Sequence, residues 1–196
     1  MRSRKIAKVI AIALVAGLAS FEVQAKATTI EQATNAVRKH LDIAPISELE
    51  VSKQNEIICL ALNQYFEARG SSEQDIKAVG FSTRNRVKSS DNHSFCKTIW
   101  EKGQYVWTKR PVTKLLPREK VSWLRMIGFA KEIVVNDDLD DPINGADSFY
   151  SRKIHPPAWT HHSHIHLIIG AHVYVRQRSI SQAKNEPEIV VDKNKA

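Results

Sequence analysis

Within Tyr65-Phe66-Glu67-Ala68-Arg69-Gly70, one carboxyl follows two aromatic residues at the end of a segment with helical periodicity. A carboxylate in the last turn of a helix opposes the helix dipole, and beside aromatic surface it loses solvation. Both effects raise its pKa, and a carboxyl kept protonated near neutral pH can give its proton to a glycosidic oxygen. The same side chain can equally be the partner of Arg69 in an ordinary salt bridge, and local sequence leaves both roles open.

A second cluster, His161-His162-Ser163-His164-Ile165-His166, places imidazoles at i and i+2. On a strand that spacing puts them on one face, where they can hold a metal. No Asp, Glu or Cys within the cluster completes such a site, so the expectation is a solvated His-rich loop and no cofactor. Cys59 and Cys96 are the two cysteines of the chain. They can close one disulfide around a loop of about 38 residues, or pack as two buried thiols.

The elements that must position these residues follow from periodicity and caps. Thr28-Thr29-Ile30-Glu31 has the form of a capping box, which predicts a short amphipathic helix running to Leu41. Ala44 to Val51 reads as a connector. From Lys53, Ile57, Ala61 and Tyr65 form one helical stripe with Ile58, Leu62 and Phe66 beside it, and Gly70 stops the helix. Ser72 and Asp75 cap the next helix, and Glu73 and Asp75 sit where carboxylates commonly open one. A short helix is expected over Ser94 to Lys102 and a longer one over Pro117 to Val135. After Asp137 the period changes, and Ser148 to Ser151 and Ile165 to Val175 read as short strands. The expected fold is therefore α+β: a mainly helical domain with a small sheet near its C-terminal end.

The chain has 196 residues, enough for one well-buried domain, and its 42% hydrophobic and 26% charged content excludes a collagen-like or wholly disordered protein. Lys and Arg exceed Asp and Glu by eight, with a pI near 9.5, which favours polyanionic partners. Part of that excess lies in Arg2, Arg4, Lys5 and Lys8, which precede the apolar run Val9 to Ala19 and the small residues of Val23-Gln24-Ala25. This is the pattern of a secretory signal peptide, too short to span a bilayer as a stable helix. The expected organisation is a signal peptide over 1–25, an N-terminal helix and connector over 26–52, a catalytic domain over 53–178 and a polar tail over 179–196 that frays. Export to the periplasm, cell envelope or medium argues against nucleic acid as a partner, and no stable membrane insertion is expected after cleavage.

Glu67-Ala68-Arg69-Gly70, then Ala78-Val79, then Asn85-Arg86-Val87, resembles the cell-wall hydrolases of the SleB/CwlJ type. Further pieces follow in order: Phe95-Cys96 with Ile99, Gly103-Gln104-Tyr105 with Trp107, Asp141-Pro142, Phe149-Tyr150, Pro157 with Trp159, and Gly170 with His172 and Tyr174. The similarity covers residues 56–176. It implies a lysozyme-like, lytic-transglycosylase-related domain with a small antiparallel sheet, acting on peptidoglycan glycan strands as a monomer. The family's catalytic glutamate falls on Glu67. Gln104, Tyr105, Trp107, Tyr150 and Trp159 fall where substrate would be bound, with Arg69, Asn85 and His172 in support.

Bland readings stand beside these: Gln104 can stabilise a turn, Tyr150 and Trp159 can pack the core, and His172 can be a satisfied core histidine. The chain departs from the family pattern at Ser71, where an acidic residue is usual, and at Val106, where a hydroxyl is usual. The implied activity is cleavage between N-acetylmuramic acid and N-acetylglucosamine by a lytic transglycosylase, of endolysin or housekeeping type. A zinc-dependent peptidoglycan amidase or peptidase built on the His cluster, and a non-catalytic wall-binding module, are the rival classes.

Overall fold

The 18-residue helix α2 (Val51–Ala68) runs through the middle of the protein and is enclosed for most of its length. Its residues from Ile57 to Tyr65 are all buried, because α3 (Glu73–Lys88), α4 (Phe95–Trp100) and α5 (Lys120–Val135) pack around it. The periodicity predicts a stripe on one side; the structure instead surrounds the helix and so buries the polar residues between the stripes too. Their amide N–H groups are paired, as buried donors usually are, while Gln64 Oε1 has no hydrogen-bond partner among the described residues. Asn63 Nδ2 donates to Thr83 Oγ1 at 3.1 Å, and Gln64 Nε2 donates to the Ile76 carbonyl at 3.1 Å. Gly80 on α3 allows the close approach: a Cβ there would lie 2.5 Å from Ile133 and 2.7 Å from Gln64.

The computed structural model describes residues 30–161, 163–177 and 189–192. The expected signal peptide and most of the polar tail lie outside the described residues. Helix α1 covers 30–40, and Ala33, Val37 and Ile46 are buried in the same core as α2. Trp123 on α5 donates its indole N–H to the Asp42 carbonyl at 2.9 Å. The N-terminal helix and connector are thus part of the core. Cys59 on α2 and Cys96 on α4 form a disulfide with a Cα–Cα distance of 5.2 Å, within the usual range.

Helix α3 begins as its sequence dictates, with Ser72 Oγ accepting from the Asp75 amide and Glu73 paired to Lys77 one turn on. Gly70 does not take the left-handed conformation expected of a glycine stop; Arg69 closes α2 in a right-handed turn.

Four strands make one sheet in the order β1-β3-β2-β4: β1 (Ser148–Ser151), β2 (Ser163–Ile169), β3 (His172–Gln177) and β4 (Ile189–Asp192). The first three are antiparallel neighbours, giving the expected α+β class. Two details differ from expectation. The single strand predicted over 165–175 is a hairpin that reverses at Gly170, whose φ of 56° suits a residue without a Cβ. Part of the tail expected to fray, 189–192, forms β4 and pairs in parallel with β2.

Candidate active site

The last turn of α2, the loop 103–106 and strand β1 meet around a cleft of about 540 Å³. Glu67, Arg86, Gln104, Tyr105, Phe149 and Trp159 line it. Among the described residues its one carboxylate is Glu67, which is half-buried. Loss of solvation raises the Glu67 pKa above the usual carboxyl value, opposed by the charges of His172 and Arg110. No hydrogen bond to Glu67 contributes among the described residues.

An aromatic wall accounts for the poor solvation. Phe66 stacks on Trp107 with centroids 5.0 Å apart, Trp107 lies 6.3 Å from Tyr105, and Tyr105 lies 6.3 Å from Phe149. Phe149 meets His172 edge-on at 5.1 Å. The wall is fixed from behind by α2, since the indole N–H of Trp107 donates to Asn63 Oδ1 at 3.3 Å.

Gln104 is oriented from α3. Arg86 donates to Gln104 Oε1 at 2.5 Å and holds the Asp147 carbonyl with its Nε at 3.2 Å and Nη2 at 2.7 Å. With its oxygen committed, Gln104 keeps its amide N–H groups for a ligand. Asn85, one residue earlier, donates to Asp141 Oδ2 and to the Ala146 carbonyl, both at 2.9 Å. This ties α3 to the loop that delivers β1.

Behind Glu67 stands a second carboxyl, fully buried. Asp75 receives the Ala171 amide at 3.0 Å, His172 Nδ1 at 3.0 Å and the Tyr174 hydroxyl at 2.7 Å. Burial would raise its pKa, but the hydrogen bonds from His172, Tyr174 and Ala171 outweigh burial and hold it below the usual value. Tyr174 is pushed well above the ordinary phenol value, first by burial and then by the Asp75 charge. The expectation that Asp75 only caps its helix is therefore corrected. Its backbone N–H is the capped group, while its side chain clamps the β2–β3 turn to the start of α3. Gly170 lets the turn come that close, since a Cβ there would lie 2.6 Å from Asp75 Oδ2.

Of the residues singled out in the sequence, Glu67, Gln104, Tyr105 and Trp159 share the cleft. Trp159 is 44% exposed and suited to stack on a sugar ring. Tyr150 packs edge-on against Trp159 at 6.1 Å without lining the cleft, so it supports that indole. Trp107 is also corrected: at 3% exposure it belongs to the wall's interior. Arg69 lines a neighbouring groove, over the Tyr65 ring at 5.0 Å and 4.0 Å from Glu119, so Glu67 is not its partner. Sequence reading quoted Phe149 within a family motif without giving it a place in the site, and it missed Arg110, whose charge acts on Glu67 from the neighbouring groove. His161 is exposed, while His162 and the side chains of His164 and His166 lie outside the described residues. Among the described residues no three metal-ligating side chains gather, and no helix is long and apolar enough to cross a membrane.

A family model described as Cell Wall Hydrolase matches residues 70–175, more than half of the chain. The match begins three residues after Glu67 and takes in Asp75, Asn85, Gln104, Trp159 and His172. No curated protein and no solved structure matches.

Proposed function

Since the chain belongs to the cell wall hydrolase family and is thereby an enzyme acting on peptidoglycan, we propose that it cleaves the glycan strand with Glu67 as both acid and base. The observation that carries this reading is a single half-buried carboxyl, shifted towards its protonated form, in an aromatic-walled cleft with no second carboxylate among the described residues that line it. Protonated Glu67 gives its proton to the oxygen between N-acetylmuramic acid and N-acetylglucosamine, and the C1–O bond breaks. The resulting carboxylate stabilises the positive charge that develops at C1. A hydrolase would next need a second carboxylate as nucleophile or as base for water. Asp75 is walled off by its three donors, and Glu119 is held by the Tyr65 hydroxyl.

The remaining route uses the substrate's own nucleophile. The C6 hydroxyl of the muramic residue attacks C1 and its proton returns to Glu67, which restores the acid and leaves a 1,6-anhydro end. Trp159 stacks on the sugar, Gln104 donates to it, and His172, locked by Asp75, sets the electrostatic field behind Glu67. Within this reading residues 1–25 direct export and are removed, and the mature enzyme works as a monomer in the envelope, of endolysin or housekeeping type.

Glu67→Gln tests the assignment. Loss of glycan cleavage with an unchanged circular dichroism spectrum supports it; full retention of activity removes Glu67 from the mechanism.

A further inference from the structure

Beside the cleft, a groove of about 460 Å³ lies between the end of α2 and the segment 110–119. Arg69, Arg110, Lys114 and Arg118 line it, and among the described residues Glu119 is its one carboxylate. Glu119 is already engaged by the Tyr65 hydroxyl and lies 4.0 Å from Arg69 Nε. The Arg118 amide donates to the same Tyr65 oxygen at 3.1 Å, which fixes the groove wall to α2. The groove adjoins the cleft through Phe66. Its ring stacks on Trp107 of the cleft wall on one side and carries the Arg110 guanidinium 5.3 Å from its centroid on the other. Arg110 is also near enough to Glu67 to favour its charged form.

Neutral sugar rings ask for aromatic faces and amide groups, which the cleft supplies. Four cations against one engaged carboxylate ask for an anion, and arginine forks match carboxylate geometry. We propose that this groove binds a free carboxylate of the peptide stem carried by the muramic residue beside the scissile bond, so that the enzyme selects stem-bearing over bare glycan. The proposal rests on the glycan occupying the cleft at Glu67. Because the cations are exposed, the selection weakens as salt rises.

The test compares the protein with its Lys114→Gln/Arg118→Gln variant on sacculi freed of phosphate polymers, with stems intact or with their carboxylates converted to neutral amides by carbodiimide coupling. The readout is the ratio of glycan-release rates on the two substrates at low salt. The expected ratio is about tenfold in favour of intact stems, equivalent to one charge-assisted contact, falling towards one in the variant. A ratio near one for the unaltered protein, or the same ratio in the variant, overturns the proposal. Co-sedimentation of Glu67→Gln protein with both kinds of sacculi reads the groove without turnover. Carboxylate-dependent retention that disappears on adding Lys114→Gln and Arg118→Gln supports the groove even if the glycosidase reading fails, and carboxylate-independent retention contradicts it.

Discussion

Glu67 and Asp75 stand eight residues apart, at the end of one helix and the start of the next, and the fold treats them oppositely. Asp75 is the more deeply buried, yet its pKa falls; Glu67 is half-buried, and its pKa rises. The difference lies in donors. Asp75 receives a backbone N–H, an imidazole N–H and a phenol O–H, whereas Glu67 faces aromatic carbon with only distant charges to offset its desolvation. Burial depth alone thus ranks the two carboxyls wrongly. The satisfied one joins the sheet to the helices, and the unsatisfied one is the carboxyl shifted towards its protonated form.

The largest way to break the comparison is Glu67→Gln, which should lower the glycan-release rate by 10²–10⁴-fold, on the order expected for removing a general acid–base. Its stability should not fall, because an amide is easier to desolvate than a carboxylate, and urea unfolding checks this. Asp75→Asn should do the reverse. It breaks a buried hydrogen-bonded carboxylate and should cost about 3 kcal/mol in urea unfolding. Any loss of turnover then reflects a displaced His172 and shows mainly as a changed pH profile.

Gly170→Ala probes the same clamp more gently. A methyl at a φ of 56°, pressed on Asp75, should cost about 1–2 kcal/mol and lower the thermal midpoint with little change in the cleft.

The smallest effect separates the two groups by pH. The folded state holds the Glu67 proton more tightly than the unfolded chain, so this group favours folding below the usual carboxyl pKa. That contribution is lost as pH rises through the raised Glu67 pKa. Asp75 contributes stability above the usual carboxyl pKa and loses it as pH falls through its lowered one. Stability measured against pH should therefore lose its descending component in Glu67→Gln and its acid-limb component in Asp75→Asn. Identical profiles for the two variants would remove the distinction.

Part of this contrast is legible in the sequence and part is not. Glu67 stands out because its aromatic neighbours and its helix-end position are local facts, readable at helical spacing. Asp75 is misread as a cap because its position is also local, while the partners that define it lie at 171–174, almost a hundred residues on. The helices follow from periodicity and caps to within a turn. The hairpin is hidden because the apolar runs Leu167-Ile168-Ile169 and Val173-Tyr174-Val175 follow closely on one another and Gly170 is the turn residue between them. β4 is hidden by its polar surroundings, although Ile189-Val190-Val191 is itself a strand-forming run. Trp107 and Trp159 look alike in sequence, but ring contacts with Phe66, Trp100 and Tyr105 and the polar anchor at Asn63 hold one in the wall while the other stays at the rim.

The central claim is that one carboxyl performs both proton transfers. Purified sacculi digested with residues 26–196, and the released fragments analysed by mass spectrometry, test it most directly. The account predicts 1,6-anhydromuramic ends, absent from digests with Glu67→Gln. Reducing muramic ends would contradict it and require a second carboxylate, and free peptides with intact glycan would remove Glu67 from the chemistry altogether.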